Sequence, residues 1–400
     1  MINSITNYKA KMNVIWDMGR RCTYACSYCD DYRKNNWSPI APWDELKRTL
    51  HFIEEYCELY DFYRVPNKRW GTIEKTITFT GGEPTVNPKF FDLVDYGYEK
   101  LDPSFNFGLT TNAAFSKTKT KRILNTRMVG TISYHTEASR KTKDLVIENI
   151  FLLKDKFKVN VMFHKDYFQE CIDLCDLLKK ENISFVPRII GDGGDIEKGI
   201  ARGTIQVYSD EQMEWFRNYW GSENTGDTNN CSSLGRACCG KRYFDVYDPD
   251  NEQWSNTTFL SDTNFFNWSC MINWYFLYVH QELDSVYHHQ TCAVNLDNEV
   301  APIGKISEGD KIIKDLETKF ENNKMPMIRC PKSHCGCGMC ISKTADDVFA
   351  KDIWNNTVRG VNVNLSKTKK KPTPFLKEHG IPKAMELHDW ANYGIKRDDL

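Results

Sequence analysis

The chain has no long apolar run. Its longest, WYFLYV at 274–279, is far short of the roughly twenty residues a membrane-spanning helix needs. The first residues, MINSITNYKAKM, hold no apolar core of the kind a secretory signal carries. These absences argue against membrane insertion and export, and a cytoplasmic protein is expected. Net charge is lacking too: 53 Lys and Arg stand against 54 Asp and Glu, so no general basic field draws the chain to nucleic acid or anionic membrane. No internal repeat or low-complexity tract stands out, which removes solenoid and disordered classes. A hydrophobic share of 40% with 13% aromatic residues suffices for a packed core. At 400 residues the chain exceeds one ordinary core, and two domains are expected.

Cysteine is present in excess. Fifteen cysteines in a large chain without an export signal point to metal or redox chemistry more than to disulfides. Cys22, Cys26 and Cys29 lie in RCTYACSYCD at a C-x3-C-x2-C spacing, just after the apolar run MNVIW, and nine others fall between Cys231 and Cys340. Three thiolates on one short loop suit three corners of a cubane 4Fe–4S cluster, which normally takes four cysteines. One iron is then left open to bind a small chelating molecule. A structural zinc site would want a fourth ligand, usually from a second cysteine pair, and none is local. Cys57, Cys171 and Cys175 sit in helical patterns and are assigned to packing.

The first half alternates short β-rich runs with longer amphipathic ones, the pattern of βα units and a parallel sheet. Expected strands are 12–18, 75–80, 106–111, 129–135, 158–164 and 183–190, with helical spacing between them. Chemistry in such folds collects at the carboxyl ends of the strands. The cysteine loop follows the first strand, GGEPT the second, TTNAA the third and HTEAS the fourth. The expected fold is therefore α/β, a partial (β/α)6 TIM-type barrel over 1–225, followed by a smaller cysteine-rich α+β domain over 226–345 and a C-terminal extension over 346–400. The extension carries the basic run KTKKK, read as a solvated tail.

With C-T-Y-A-C-S-Y-C after a first strand and T-G-G-E-P-T after a second, the first half resembles the radical S-adenosylmethionine (SAM) superfamily. The resemblance implies that Cys22, Cys26 and Cys29 ligate three irons, with the amino and carboxylate groups of SAM on the fourth. It places Tyr28 near the adenine. Gly81, Gly82, Glu83 and Pro84 match the segment in which glycines let backbone approach the ligand and Glu83 receives the ammonium. Taken without the cysteine loop, GGEP would be a tight turn. Thr110, Thr111 and Asn112, and Ser133, His135 and Glu137, stand where the family meets the SAM ribose or carboxylate, although polar residues at strand ends also cap helices. Arg188 faces the SAM or substrate carboxylate, or pairs with a structural acid.

Cys330, Cys335, Cys337 and Cys340 lie in RCPKSHCGCGMC, and Cys270 and Cys292 precede them, flanking WYFLYVHQELDSVYHHQ, which reads as a hairpin turning at Glu-Leu-Asp-Ser. That order resembles the SPASM and twitch extensions of radical SAM enzymes, which hold auxiliary 4Fe–4S clusters. The spacing C-x4-C-x-C-x2-C departs from the C-x2-C-x5-C pattern of full SPASM domains, so one auxiliary cluster is expected, with zinc as the alternative. The favoured ligands are Cys270, Cys292, Cys335 and Cys337, with Cys330 or Cys340 as replacements. Cys231, Cys238 and Cys239 are left between reaching a second cluster, donating a hydrogen atom and merely packing.

What the resemblance implies for activity is an oxidoreductase-type radical enzyme: reductive cleavage of SAM to a 5′-deoxyadenosyl radical that takes hydrogen from a substrate, fed by an external electron donor such as flavodoxin or ferredoxin. A peptide or protein side chain is the leading substrate class, by analogy with SPASM-bearing maturases. A small molecule such as an alcohol, sugar or nucleotide is the second. A non-catalytic iron–sulfur or zinc protein is the third.

Overall fold

Alternation along the strands decides which face of the main sheet is covered. The structure, a computed structural model, describes residues 4–7, 11–29, 37–64, 74–190, 208–222, 244–248, 253–255, 266–289, 302–321, 328–330 and 343–344. After a short strand β1 (Ser4–Asn7), six strands run in sequence order: β2 (Lys11–Asp17), β3 (Glu74–Thr80), β4 (Phe105–Thr111), β5 (Val129–His135), β6 (Phe157–Phe163) and β7 (Phe185–Ile189). Each pairs in parallel with the next. Between them lie α1 (Trp43–Arg64), α2 (Phe90–Lys100), α3 (Lys117–Leu124), α4 (Arg140–Leu153) and α5 (Phe168–Lys180). In β3, Ile77 and Phe79 are buried while Thr76, Thr78 and Thr80 are half-buried. The same two-residue period sets Ile132 and Tyr134 against Thr131, Ser133 and His135 in β5.

The buried set packs with apolar residues of all five helices in one core cluster. Parallel strands in sequence order, with their helices gathered on one side, make a singly wound sheet as in a barrel; a doubly wound sheet carries helices on both faces. The expected α/β class and six βα units are therefore present, with strand bounds within about two residues of expectation. Local chemistry fixes the helix starts. Asp44 and Glu45 stand in the first turn of α1, where the helix dipole favours negative charge. The Ser139 side chain accepts from the Thr142 N–H to cap α4. Cys57, Cys171 and Cys175 are buried in α1 and α5, as their helical spacing implies.

Beyond β7 come α6 (Asp210–Ser222), β8 (Phe244–Asp248), β9 (Gln253–Ser255), β10 (Ser269–Cys270), β11 (Phe276–His280), β12 (Ser285–Tyr287), α7 (Gly309–Glu321), β13 (Ile328–Arg329) and β14 (Lys343–Thr344). The expected hairpin is β11–β12, turning at Gln281–Asp284. It does not stand in a separate domain. β11 pairs in parallel with β2, so the hairpin extends the main sheet to eight strands in the order β12-β11-β2-β3-β4-β5-β6-β7. The chain's first strand departs in the opposite sense: β1 joins the second sheet, ordered β13-β10-β14-β1-β8-β9. A boundary near 225 thus separates the two halves of the sequence but not the two sheets. Of the C-terminal extension, 346–400 lies outside the described residues.

Phe79 is fully buried and its ring meets Trp16, Phe90 and Phe107 at centroid distances of 5.4, 5.2 and 5.6 Å. Phe79→Ala should cost about 3–5 kcal/mol in denaturant unfolding. A loss below about 1 kcal/mol would mean that helices and sheet do not share this core.

Candidate functional site

Two motifs more than fifty residues apart in sequence are joined here by main-chain hydrogen bonds. Gly82 N–H donates to Gly19 O and Glu83 N–H to Arg21 O, both at 2.8 Å. The glycines are needed for that approach. A Cβ on Gly82 would stand 2.4 Å from Arg21 O and 2.6 Å from Arg20 O, and Gly81 has a φ of +122° with its missing Cβ 2.5 Å from Gly19 O. The room they leave is filled by the segment leading into the cysteine loop; the sequence reading had reserved it for a ligand. Pro84 opens the short 3-10 turn Pro84–Val86, capped by Glu83.

Glu83 is 3% exposed. Its carboxylate accepts from Thr85 N–H (3.1 Å), the Thr85 hydroxyl (2.7 Å), the Thr111 hydroxyl (2.9 Å to each oxygen) and Asn112 N–H (2.7 Å). Burial pushes its pKa above the ordinary carboxylate value, against the opposing pull of these donors. Four donors match the roughly four lone-pair positions of a carboxylate. Admitting an ammonium requires a hydroxyl, Thr111 or Thr85, to turn away, which a rotor permits.

Asn112 carries the link onward. Its Nδ2 donates to Thr23 Oγ1 at 2.9 Å and lies 3.6 Å from Cys22 Sγ. Cys22 also receives the Tyr24 N–H at 3.4 Å. The loop then crosses to the far strands. Cys26 Sγ lies 3.6 Å from His135 Nδ1, Tyr28 Oη lies 2.5 Å from the same nitrogen, and Ser27 N–H donates to Glu137 at 2.7 Å. Cys26 and Tyr28 pack with Ile190 just beyond β7, and Cys29 and Met162 close that cluster. Burial, with neighbouring Cys22 and Cys29 adding to it, pushes the Cys26 thiol up to about 12. Burial likewise lowers His135 to about 4, so its ring is neutral at pH 7. His135 sits beside the thiols with a directness that its place at a strand end had not shown.

Ser133 and Arg188 lie on the face of the sheet away from the helices, Ser133 directly opposite Asn160 and Arg188 opposite Met162. Arg188 Nε donates to Asn160 Oδ1 at 3.3 Å. In the second cysteine group, Cys270 is buried in β10 and Cys330 follows β13. Cys270 pairs with Ile328, while Cys330 O accepts from Asn267 N–H (2.8 Å) and Cys330 N–H donates to Trp268 O (2.9 Å), so the two cysteines are diagonal neighbours on one face. Cys292, Cys335, Cys337 and Cys340, with Cys231, Cys238 and Cys239, lie outside the described residues. Among the described residues no three His, Cys, Asp or Glu side chains surround a single ion position, and no helix is long and apolar enough to cross a membrane.

A residue the sequence reading did not single out braces the entry to the loop. Glu282, in the β11–β12 turn, accepts from Arg20 N–H (3.1 Å), Arg20 Nε (2.8 Å), Arg20 Nη2 and the Ser38 hydroxyl (3.0 Å). Only spatial pairing of β11 with β2 reveals it.

No family model and no curated protein matches the chain. Among solved structures, the chain is similar to anSMEcpe with bound AdoMet (12% identity, 89% of this chain and 99% of that one, TM-score 0.43). It is similar also to native anSMEcpe with bound AdoMet and Cp18Cys peptide (13%, 90% and 100%, 0.45), and to BtrN in complex with AdoMet and 2-DOIA (13%, 79% and 91%, 0.34). Likeness of this degree assigns no residue and no chemistry.

For Glu282, burial works upward, but the hydrogen bonds from Arg20 and Ser38 outweigh it and hold the carboxyl below its ordinary 4.5. A carboxyl lowered on folding adds stability above its unfolded pKa and loses it as pH falls through the folded one. Glu282→Gln should therefore cost about 1.5–3 kcal/mol at pH 7, and the gap from the wild type should close in denaturant titrations run well below pH 4.5. A gap that persists unchanged in acid would show that charge is not what Glu282 supplies.

Proposed function

We propose that this protein is a radical SAM enzyme that removes a hydrogen atom from its substrate. The observation that carries the reading is the joining of the two motifs: Gly82 and Glu83 are bonded to the segment entering the cysteine loop, and Asn112 bridges Glu83 to Thr23, beside Cys22. The donor set suits an iron–sulfur cluster. Three thiols share a partly buried loop where ionising together is unfavourable, and a cationic cluster would relieve that cost.

Bound here, the cluster and SAM would supply a 5′-deoxyadenosyl radical able to attack an unactivated C–H bond. The chain's own residues do the rest. Cys22, Cys26 and Cys29 hold the cluster, and Glu83 offers its carboxylate to the SAM ammonium once a threonine hydroxyl turns aside. Tyr28 and His135, their rings nearly parallel at a centroid distance of 5.9 Å, pack beside Cys26. An external donor such as flavodoxin or ferredoxin provides the electron.

The second cysteine group is proposed to hold an auxiliary 4Fe–4S cluster. β13, ending at Arg329, pairs with one side of β10, and β14, beginning at Lys343, pairs with the other, so the chain enters and leaves the segment 331–342 beside Cys270.

Anaerobically reconstituted wild type should carry about eight irons, two cubanes' worth. Replacing Cys22, Cys26 and Cys29 together by Ala should remove about four of them and abolish 5′-deoxyadenosine formation from SAM. Persistent 5′-deoxyadenosine in that variant sinks the assignment. Wild type with about four irons and one zinc would instead replace the auxiliary cluster by a zinc site.

A further inference from the structure

The face of the main sheet that no helix among the described residues covers is the wrong composition for a core. The interior of a closed (β/α)8 barrel is filled by layers of branched apolar side chains. Here the corresponding positions include Thr78 in β3, Thr110 in β4, Thr131 and Ser133 in β5, and Asn160 in β6, each half-buried, while the alternate positions on the helix side are buried and apolar. A parallel sheet normally buries both faces in apolar residues, so this face is built to be wetted or filled by something polar.

The register brings these groups side by side. Thr110 lies directly opposite Thr131, and Ser133 opposite Asn160. Thr78 lies opposite Gly108, where a Cβ would come 2.8 Å from the Thr78 hydroxyl; the glycine leaves that hydroxyl approachable. The charges on the face are engaged or peripheral. Asp17 accepts from the Tyr278 hydroxyl at 2.8 Å and from Gly19 N–H at 3.0 Å, Arg188 donates to Asn160, and Glu74 and Lys158 stand exposed at the amino ends of β3 and β6. Over the carboxyl ends lies the cysteine loop, which reaches His135 after leaving β2 and packs on Ile190 beyond β7.

We propose that this face is the floor of a binding chamber for a small, neutral, hydroxyl-rich molecule, a polyol or sugar, held under the cysteine loop. The proposal deepens the radical SAM reading and rests on it for the claim that this ligand is the substrate. Threonine and serine hydroxyls both donate and accept, as ligand hydroxyls do, whereas a phosphate or carboxylate asks for donors alone and an alkyl chain for neither. Neighbouring strands stand about 4.8 Å apart, close to the separation of hydroxyls on alternate carbons of a six-membered ring. A peptide would be expected to find an unpaired strand edge or apolar side-chain pockets, and the floor offers neither.

The test is a binding titration by saturation-transfer NMR on the full-length reconstituted protein. The probes are myo-inositol, D-glucose, glucose 6-phosphate, octanoate and an acetylated, amidated Gly-Ser-Gly peptide. One of the two neutral polyols should bind at least about tenfold more tightly than the last three probes. Thr78→Val and Thr131→Val, which keep shape and remove one hydroxyl, should each weaken it about three- to tenfold, and Thr78→Ser should restore binding. No polyol binding, preference for the peptide, octanoate or phosphate ester, or indifference to the valine substitutions overturns the proposal. Iron content and 5′-deoxyadenosine formation are read on the same samples. A loaded, SAM-cleaving protein that binds no polyol refutes the chamber alone, and a polyol-binding protein without a cluster refutes the radical reading alone.

Discussion

A buried carboxylate with no cation partner among the described residues holds the site together. Glu83 takes four donors from two places, Thr85 in its own turn and Thr111 and Asn112 at the end of β4. Leaving even one of those donors unsatisfied at such depth costs on the order of 1–3 kcal/mol, so the turn after β3 and the end of β4 are fixed relative to each other. Asn112 passes that constraint to Thr23 in the cysteine loop, and the glycine contacts pass it to the segment before the loop. Glu83 thus bears on the start of the cysteine loop through Asn112 and the glycine contacts. Burial raises the pKa of Glu83, the expected sign for a carboxylate kept from water.

The same economy governs the sheet. Gathering the five helices between the strands on one face lets a single apolar core form from alternate strand residues, and no described helix covers the other face. Polar side chains can then stand in rows across parallel strands without the desolvation cost they would incur in a closed core. The cysteine loop lies over the carboxyl ends of those rows because the parallel strands all end on that side, which is also why residues as far apart in sequence as Cys26, His135 and Ile190 meet there.

Much of this was legible in the sequence because it rests on short-range pattern. Runs such as KTITFT and VGTISYH carry the two-residue period of a strand whose faces see different surroundings, and their bounds survive folding almost unchanged. The cysteine triplet and GGEP were legible as motifs, but the purpose of the glycines was not: whether a missing Cβ admits a ligand or another stretch of chain depends on what lies opposite, here Arg20 and Arg21. The hairpin at 276–287 was legible as a hairpin and illegible as part of the main sheet. Its pairing with β2 spans more than 260 residues, and no local signal encodes a partner so distant. Glu282 escaped notice for the same reason, since an acid in a turn is ordinarily solvated.

That distant pairing gives the C-terminal half a hold on the cysteine loop. β11 covers the edge of β2 that would otherwise stand open, and the turn after it grips the chain where β2 ends. Gln281 N–H donates to Asp17 O at 2.9 Å, its side chain joins Trp16 Nε1 (3.0 Å) to Glu45 (2.6 Å), and Glu282 closes on Arg20 and Ser38. Arg20 and Ser38 flank the cysteine loop on either side. A loop pinned at both shoulders by one turn, at its middle by His135 and Glu137, and at its first thiol's neighbour by Asn112 has little freedom left. Contacts drawn from both halves of the sequence thus offset the ordering entropy of this loop during folding.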